Sequence, residues 1–364
     1  MSSAGFARAI ESWGEAVRSE PQASDERRKG GEAPLRVGVQ IGQVVKRGYD
    51  LQRQWLEQLE QFRACRDAGF DFVSWGHHWL IDPFQHFQPI PVLARFAAEA
   101  GTMDLVTGVL LTPLLNPVQV AEDVATLDHI CAGRLVFGIG LGYRAEEFEA
   151  AGFKMSERAA RFEEGLALMK RLWADTEVTH HGRFYHVTDA RPTARPYQRP
   201  HPRIWIAAMT DPAVRRAGRL GHPFYAIGTL RFDELRQALA VWRAALAESG
   251  HPVPSDVPVH REFYVARTHE EARAKARPGV EAKYKGYATH GLPGVAPSFA
   301  VDQLMDDPFV IGGPDECLDK LARFRELGVT HLALRLFWPD MTQAEALGMI
   351  ELVAKTMLPA LQKA

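Results

Sequence analysis

Cysteine is scarce in this chain of 364 residues: Cys65, Cys131 and Cys317 lie far apart, and no two of them form a CxxC pair. So sparse and odd a set excludes a disulfide framework and a zinc ribbon, and it favours a reducing compartment. Long apolar runs are also missing, since none approaches the roughly 20 residues that cross a bilayer. Neither sign of charge dominates, because 43 basic residues face 45 acidic ones. We therefore expect a cytoplasmic protein whose partners are neither nucleic acids nor membranes.

Hydrophobic residues make up 46% of the chain, which is enough for a large core. Residues 1–34 are charged and rich in Gly and Pro, so we predict a flexible N-terminal arm before a domain of residues 35–364. Past the arm, short apolar runs alternate with longer helical patterns. The runs are too continuously apolar for strands with one face in water. They predict eight strands, at residues 35–41, 70–75, 104–111, 134–140, 203–208, 223–228, 260–266 and 331–337.

Amphipathic segments separate these strands. The segment that starts at Leu51 places Trp55, Leu59 and Phe62 on the same helical face as Leu51, and it ends at Gly69. Other segments repeat the pattern, with Asn or Pro at the start and Gly at the end. Eight strands that alternate with helices predict an α/β fold, a (β/α)₈ TIM barrel, with a doubly wound sheet as the alternative.

Two segments interrupt the alternation. Residues 175–202 are dense in Pro, His, Arg and Tyr, and we predict a small hairpin within them. Residues 278–310 contain several glycines and prolines. Long irregular insertions in a compact domain are usually binding loops. We therefore interpret the second segment as a mobile lid whose Tyr284 and Tyr287 are candidates for the pocket.

The carboxyl ends of barrel strands are where ligands bind. Here those ends are aromatic and glycine-rich, which suits a flat, apolar, partly anionic ligand better than a hydrated cation. We assign five of their residues to a substrate pocket, with ordinary packing as the alternative for each: Gln40, Trp75, Trp79, Arg335 and Trp338.

Two adjacent histidines, His77 and His78, follow the second predicted strand. Neighbouring strand residues point to opposite faces, so the two rings do not easily converge on one ion. No HxH or HExxH spacing is present, and we predict no metal site. The pair remains a candidate for proton transfer, against the alternative that one ring packs outward while the other forms a hydrogen bond in the core.

The stretch "GIGLGY" is a weak match to a dinucleotide fingerprint, because its glycines follow GxGxG rather than GxGxxG. Glycines at a strand end also allow a ligand to approach the backbone. After the fifth strand, Pro212 stands at the start of a helix whose free N–H groups suit phosphate. Thr210 or Asp211 could instead cap that helix. Arg158 is a candidate phosphate ligand, against the alternative of a solvated helix arginine.

Three blocks of the sequence together resemble the bacterial-luciferase-like flavin monooxygenase family. They are "GFDFVSWGHHW", the long stretch from "GVLLTPLLNPVQVAEDVATLDHICAGRLVFGIGLGYRAEEF" to "EAAGF", and the stretch from "RFEEGLALMKRLW" to "PRIWIAA". The second block is the most specific. The resemblance covers residues 35 to about 360, and it implies a TIM-type barrel that binds reduced FMN or a related flavin at its carboxyl face.

The resemblance also implies roles for particular residues. His78 takes the place of the family's active-site histidine, and His77 stands where an acidic neighbour is usual; both are predicted to be catalytic. A non-proline cis peptide beside the flavin ring is expected at Gly108–Val109. The further predicted cofactor contacts are Gly140, Leu141, Gly142 and Tyr143 after the fourth strand, and the phosphate contacts Arg158, Met209 and Thr210. A second arginine of the luciferases is replaced by Leu141.

The implied function is a two-component monooxygenase, in which a separate NAD(P)H:flavin reductase supplies reduced FMN and oxygen enters a small organic substrate. A homodimer is implied by the same analogy. Three alternatives stay open: a deazaflavin-dependent oxidoreductase on the same barrel, a flavin-binding protein without activity, and a metal-dependent hydrolase.

Overall fold

Eight parallel strands close into a barrel in this computed structural model, which describes residues 35–42, 45–290, 292, 295 and 300–363. The predicted arm of residues 1–34 lies outside the described residues. The strands pair in chain order, and the last pairs with the first, which excludes the doubly wound alternative. Their bounds are β1 Arg36–Ile41, β2 Phe72–Trp75, β3 Asp104–Thr107, β4 Leu135–Gly140, β5 Arg203–Ala208, β6 Phe224–Ala226, β7 Pro258–Val265 and β8 His331–Arg335.

Helices connect the strands along the outside of the barrel. They are α1 Leu51–Ala68, α2 Pro89–Ala97, α3 Pro117–Ile130, α4 Ala145–Ala150, α5 Arg158–Ala174, α6 Asp211–Arg219, α7 Phe232–Glu248, α8 His269–Thr289, α9 Val301–Asp306, α10 Pro314–Glu326, α11 Gln343–Thr356 and α12 Leu358–Leu361. Short 3₁₀ turns cover Thr112–Leu114 and Met155–Glu157. Asn116 caps α3 through bonds from the N–H groups of Val118 and Gln119, as its type predicts.

Short strands outside the barrel complete the secondary structure. Val45–Lys46 pairs with Phe84–Gln85, and the predicted hairpin forms from Val178–His181 and His186–Ala190. Leu110–Leu111 continues the chain after β3 and pairs with β4, while Val310–Gly312 pairs with β7. No helix in the described part of the chain is long and apolar enough to span a membrane.

The core has two layers. Side chains from alternate strand positions fill the barrel interior, namely Phe72, Val106, Val136, Trp205, Tyr225 and Ala333. A larger apolar layer lies between the outer faces of the strands and the helices. This arrangement explains why the strands are continuously apolar in sequence, because both of their faces are buried.

Two details of the predicted elements are wrong. Leu51 does not belong to the buried face of α1; it is 50% exposed, because it opens the helix at the barrel rim, whereas Phe62 is fully buried. Residues 278–289 are not irregular, since they form the second half of α8 despite Pro278. A Cβ atom at Gly279 would lie 2.9 Å from Cβ of Trp338, so the glycine there permits close helix packing rather than a loop.

Candidate active site at the barrel mouth

The strand register decides which side chains point into the barrel mouth. Gln40 pairs with Ser74, and Ser74 pairs with the interior residue Val106, so all three face inward. On the adjoining wall, formed by β7 and β8, Glu262 pairs with Arg335, two positions beyond the interior residue Ala333. The mouth is therefore bounded by polar side chains from β1, β2, β7 and β8.

His78 is held by a buried carboxylate. Its Nδ1 lies 2.9 Å from Oε1 of Glu147, the same oxygen accepts the N–H of Trp79 at 2.8 Å, and Gln88 donates to the carbonyl of His78 at 3.0 Å. Glu147 is fully buried, while the His78 side chain is 29% exposed. A carboxylate on Nδ1 selects the tautomer that leaves Nε2 available to a ligand.

Glu147 is a candidate site residue that the sequence reasoning missed. It lies on α4, 69 positions after His78. Its signal was a carboxylate in the loop after the fourth strand, where ligand-binding residues of a barrel gather. The acidic partner of His78 is thus supplied by another part of the chain, although His77 occupies the neighbouring position where an acid was expected.

His77 occupies a different environment from His78. It is buried, its Nδ1 accepts the N–H of Leu111 at 3.2 Å, and its ring packs edge-on against Trp79 at 5.4 Å. Burial lowers the pKa of His77 to about 3, so the ring is neutral at physiological pH. The geometry favours a packing role for His77, which fixes the loop before His78, over the predicted catalytic role.

Tyr143 and helix α8 cover the mouth. The Tyr143 ring packs edge-on against His78 at 5.7 Å and against Tyr287 of α8 at 6.4 Å. At the end of α8, Nδ1 of His290 lies 3.3 Å from Oε1 of Glu146 on α4. The part of the predicted lid up to residue 290 therefore packs against Tyr143 and α4 at the mouth.

The predicted cis peptide is present at Gly108–Val109, directly after β3. Gln40 donates to the carbonyl of Gly108 at 3.2 Å. Val109 contacts the interior cluster, so its side chain turns toward the mouth rather than toward the helices. Gln40 thus supports this segment of the wall.

The three tryptophans that were predicted for the substrate pocket differ in how deeply they are buried. Trp75 is fully buried between β2 and α2, where its Nε1 donates to the carbonyl of Phe87 at 2.8 Å. Trp338 is also buried, and its Nε1 donates to the carbonyl of Phe263 at 2.9 Å. The assignment of Trp75 to the pocket is wrong, because its strand position points outward. Trp79 is partly exposed and, with His77, lines a cavity of about 200 Å³ between α2 and α3.

Packing within the protein explains why glycines stand at the end of β4 and just after it. A Cβ at Gly140 would lie 2.7 Å from Cγ2 of Val109, and Gly142 has a φ of +80°. Leu141 between them is partly buried against the outer core. The glycines therefore bring the end of β4 against the cis peptide segment and turn the chain toward Tyr143. The cofactor contact of Gly140, Leu141 and Gly142 stays a prediction.

Two helix starts lie side by side at the rim. Arg216 of α6 donates to Glu163 of α5 at 2.8 Å, and each partner is five residues into its helix, so the two helices begin at the same level. Arg158 is the first residue of α5. The positive dipole ends of two helices, together with a guanidinium, are suited to a phosphate.

The first N–H groups of α6 are largely engaged within the helix, since Pro212 has none and that of Ala213 donates to the carbonyl of Thr210 at 2.9 Å. The Thr210 side chain makes no capping bond, and Asp211 is exposed, so the alternative that either of them caps the helix is not realised. Met209 is partly buried against the core at the end of β5. Arg158 donates from Nη1 to the carbonyl of Met155 at 3.0 Å, which orients its guanidinium along the helix start.

A buried charged cluster on the β7 and β8 side was also missed. Glu262 forms an ion pair with Lys283 of α8 and accepts from the Tyr284 hydroxyl at 3.2 Å. Nε of Arg335 lies 3.4 Å from Nε2 of His260 and 3.8 Å from Oε2 of Glu262. Arg335 was predicted for the pocket, whereas Lys283 and Tyr284 come from a segment that was not predicted to be a helix.

The donor set of the mouth contains no arrangement of metal ligands. Within the described ranges, no group of three or more His, Cys, Asp or Glu side chains is placed to hold an ion. Instead the interior carries the neutral hydroxyls of Ser74 and Tyr225, which form a hydrogen bond with each other. Such atoms at a barrel mouth suit an organic ligand with hydrogen-bonding groups.

Comparison with known proteins extends these observations. The model of the family described as luciferase-like monooxygenase matches residues 35–331. An F420-dependent glucose-6-phosphate dehydrogenase from Beutenbergia cavernae is 28% identical over 82% of this chain and 91% of its own length. An FMNH(2)-dependent dimethylsulfone monooxygenase from Pseudomonas putida is 27% identical over 67% of this chain and 72% of its own.

A solved structure shares the architecture as well. The monooxygenase RslO1 from Streptomyces bottropensis superposes with a TM-score of 0.80 at 27% identity, over 90% of this chain and 99% of that one. The relatives include enzymes named for FMN and enzymes named for F420. The scaffold is therefore that of an oxidoreductase, whereas the choice between the two flavins depends on the residues of this chain.

Proposed function

Because the chain belongs to the luciferase-like monooxygenase family, we propose that it is a monooxygenase that uses reduced FMN and molecular oxygen to oxygenate a small organic substrate. One oxygen atom enters the substrate and the other leaves as water, with two electrons from reduced FMN. A separate NAD(P)H:flavin reductase supplies the reduced cofactor. The observation that carries this proposal is His78, which is oriented by Glu147 and faces the covered mouth beside Tyr143.

The residues at the mouth fit a flavin mononucleotide. Arg158 and the paired starts of α5 and α6 would hold the phosphate, and the wall at Val109 would support one face of the ring. The hydroxyls of Ser74 and Tyr225, which form a hydrogen bond with each other, would also bind polar atoms of the ring edge. When bound, reduced flavin supplies the electrons and the reaction with oxygen, while the protein orients the ligands and excludes water.

His78 is the proposed catalytic residue. Its Nδ1 is engaged by Glu147, so Nε2 is the atom that takes up or releases a proton at the substrate. Tyr143 packs against it, Tyr287 packs against Tyr143, and the two rings would restrict water. Proton transfer through Nε2 requires that the His78 ring keep its orientation. The three hydrogen bonds to residues 78 and 79 restrain it.

A deazaflavin-dependent oxidoreductase that transfers hydride without oxygen is the second candidate. A specific observation favours it: an F420-dependent dehydrogenase matches over 82% of this chain at an identity similar to that of the FMNH(2)-dependent relative. The phosphate site and His78 would serve either cofactor, so binding must decide between them.

The test is an anaerobic titration of the purified protein with reduced FMN and, in parallel, with reduced F420. Tryptophan fluorescence reports the binding of each cofactor. We expect saturable binding of reduced FMN that is at least tenfold tighter than that of F420. Arg158→Gln should weaken it about tenfold, as expected for a lost charge-assisted hydrogen bond. Arg171→Gln, at the opposite end of α5, is the matched control and should not change it.

Oxygen consumption provides the second readout. With NAD(P)H and a flavin reductase present, oxygenated product should appear in proportion to the oxygen consumed once a substrate is supplied. Tight binding of F420 together with no binding of reduced FMN would contradict the monooxygenase and establish the deazaflavin enzyme.

A further inference from the structure

The charged cluster at the β7 and β8 wall carries an excess of positive charge. Lys283 and Arg335 are cations, and Glu262 is the one carboxylate in contact with them among the described residues. His260, packed between them, is neutral, because burial and the charge of Arg335 hold its pKa well below the usual value. While Lys283 is protonated, the cluster therefore has a net charge of about +1 that these protein groups do not balance.

The other groups that face the cluster are neutral. Burial raises the pKa values of Tyr284 and Tyr287 on α8, of Tyr143 after β4 and of Tyr225 on β6. Their hydroxyls are therefore donors at physiological pH. An uncompensated buried cation surrounded by phenols is costly unless an anion joins it.

The open side of the cluster is Arg335. Its side chain is 20% exposed, whereas the Lys283 and Glu262 side chains are only 5% and 3% exposed. Arg335 ends β8, which lies across the barrel from the β3 end at Val109. Tyr287, which interacts with Arg335, also packs against Tyr143, and Tyr143 packs against His78. A small molecule between Arg335 and His78 would thus be enclosed by two tyrosine rings.

We propose that Arg335, supported by the Lys283–Glu262 ion pair, is the anion-binding part of the substrate pocket, and that the substrate is a small organic carboxylate. This inference rests on the proposed function, since it places the anion on the substrate. A guanidinium is suited to this task because its planar donors match a carboxylate. The carboxylate binds Arg335, and the body of the substrate extends over the tyrosines toward His78.

The structure also gives the binding a pH dependence. Burial, reinforced by the charge of Arg335, lowers the pKa of Lys283 to about 7, whereas the cations keep Glu262 ionised. Below pH 7 the cluster has a charge of about +1; above it, neutral Lys283 leaves Glu262 to cancel Arg335. Carboxylate affinity should therefore fall as the pH rises from 6 to 8.

The experiment compares benzoate with its neutral analogue benzamide, each titrated into the full-length protein by calorimetry, with and without reduced FMN. We expect benzoate to bind at least tenfold more tightly than benzamide at pH 6, and Arg335→Gln to remove that preference. Lys283→Met combined with Glu262→Gln removes both charges of the pair without leaving one unpaired. This double variant should keep the preference but lose its pH dependence.

Lys285→Met, an exposed position on the same helix, is the matched control and should behave as wild type. Equal affinity for benzoate and benzamide, with reduced FMN still bound, would overturn the inference and leave the proposed function intact. So would a loss of FMN binding in Arg335→Gln with unchanged benzoate binding, because the anion would then belong to the flavin. Benzoate preference without any binding of reduced FMN would support the subsite and contradict the proposed function.

Discussion

Glu147 is an unusual carboxylate, because it is fully buried and yet only one of its oxygens has partners. Oε1 accepts from Nδ1 of His78 and from the N–H of Trp79, while Oε2 has no hydrogen-bond partner in the described structure. Burial of a charged group costs free energy unless its hydrogen bonds compensate. We infer that this cost is tolerated because the carboxylate fixes the orientation and tautomer of His78.

We predict that Glu147→Gln disturbs the tautomer of His78 and lowers activity about 10- to 100-fold, the equivalent of about 1.5–3 kcal/mol for a hydrogen bond to a charged group. Nitrogen-15 NMR of labelled histidines reports the tautomer directly, independently of any substrate. Glu146→Gln, the adjacent and half-exposed residue, is the control and should leave the signal unchanged. An unaltered His78 spectrum in Glu147→Gln would contradict the orienting role.

Strands β3 and β4 approach so closely that a side chain cannot fit between them. A Cβ at Gly138 would lie 2.0 Å from the carbonyl oxygen of Thr107, and the Thr107 hydroxyl donates to the carbonyl of Gly138 at 2.7 Å. Because the obstructing atom belongs to the backbone, it cannot rotate away. This contact places the chain after β3 and the glycines after β4 on the same wall of the mouth.

Gly138→Ala should therefore destabilise the protein by about 1–3 kcal/mol or more, as overpacking of a rigid site does. Gly348→Ala is a control that should change the free energy of unfolding in the opposite direction. Gly348 is exposed on α11 with nothing within 4 Å of the added atom, so alanine should stabilise the helix by about 0.5–1 kcal/mol. Urea unfolding at neutral pH measures both. Equal effects of the two substitutions would refute the steric argument.

The amino-terminal end of the barrel is closed by a charge network that joins distant strands. Oδ2 of Asp104 on β3 accepts from Arg36 of β1 and from Arg203 of β5, each at 2.6 Å. Burial alone would raise the pKa of Asp104, but the two guanidinium charges outweigh it and lower the pKa below its ordinary value. The network connects three of the eight strands and lies at the opposite end from the ligand site.

We predict that Asp104→Asn costs about 3 kcal/mol at pH 7, the lower end of the range for a broken buried pair, because both arginines are 30% exposed. A lowered folded-state pKa contributes stability above the ordinary pKa of about 3.9, and this contribution is lost as the pH falls through the folded-state value. The difference between wild type and variant should thus shrink below about pH 4.

Denaturant unfolding at several pH values checks this prediction. Asp340→Asn breaks an ion pair with Lys46 whose side chains are more than half exposed, and it should change stability by less than about 0.5 kcal/mol. A constant difference between wild type and Asp104→Asn down to pH 2 would show that the carboxylate contributes no linked protonation.

Much of the fold was predictable from short stretches of sequence. Seven of the eight barrel strands lie within the predicted segments, and β7 begins two residues before its segment, because strands buried on both faces must be apolar throughout. Helix caps such as Asn116 were predictable as well, because a cap depends only on hydrogen bonds to the N–H groups that follow it in the chain. Helix α8 was mispredicted where Pro278 and two glycines suggested a loop, since packing of Gly279 against Trp338 outweighs their low helix propensity.

The sequence by itself determined the barrel and singled out His78 as a candidate, because these depend on local pattern and on motifs. Only the tertiary structure decided which side chains contact these residues. Glu147 reaches His78 across 69 residues, and Lys283, Glu262 and Arg335 meet from three separate elements. Trp75 and His77 lie in the same stretch as His78, but strand direction and burial turn them away from the mouth. Which side chains share a pocket is set by barrel closure, and no single stretch of sequence contains that information.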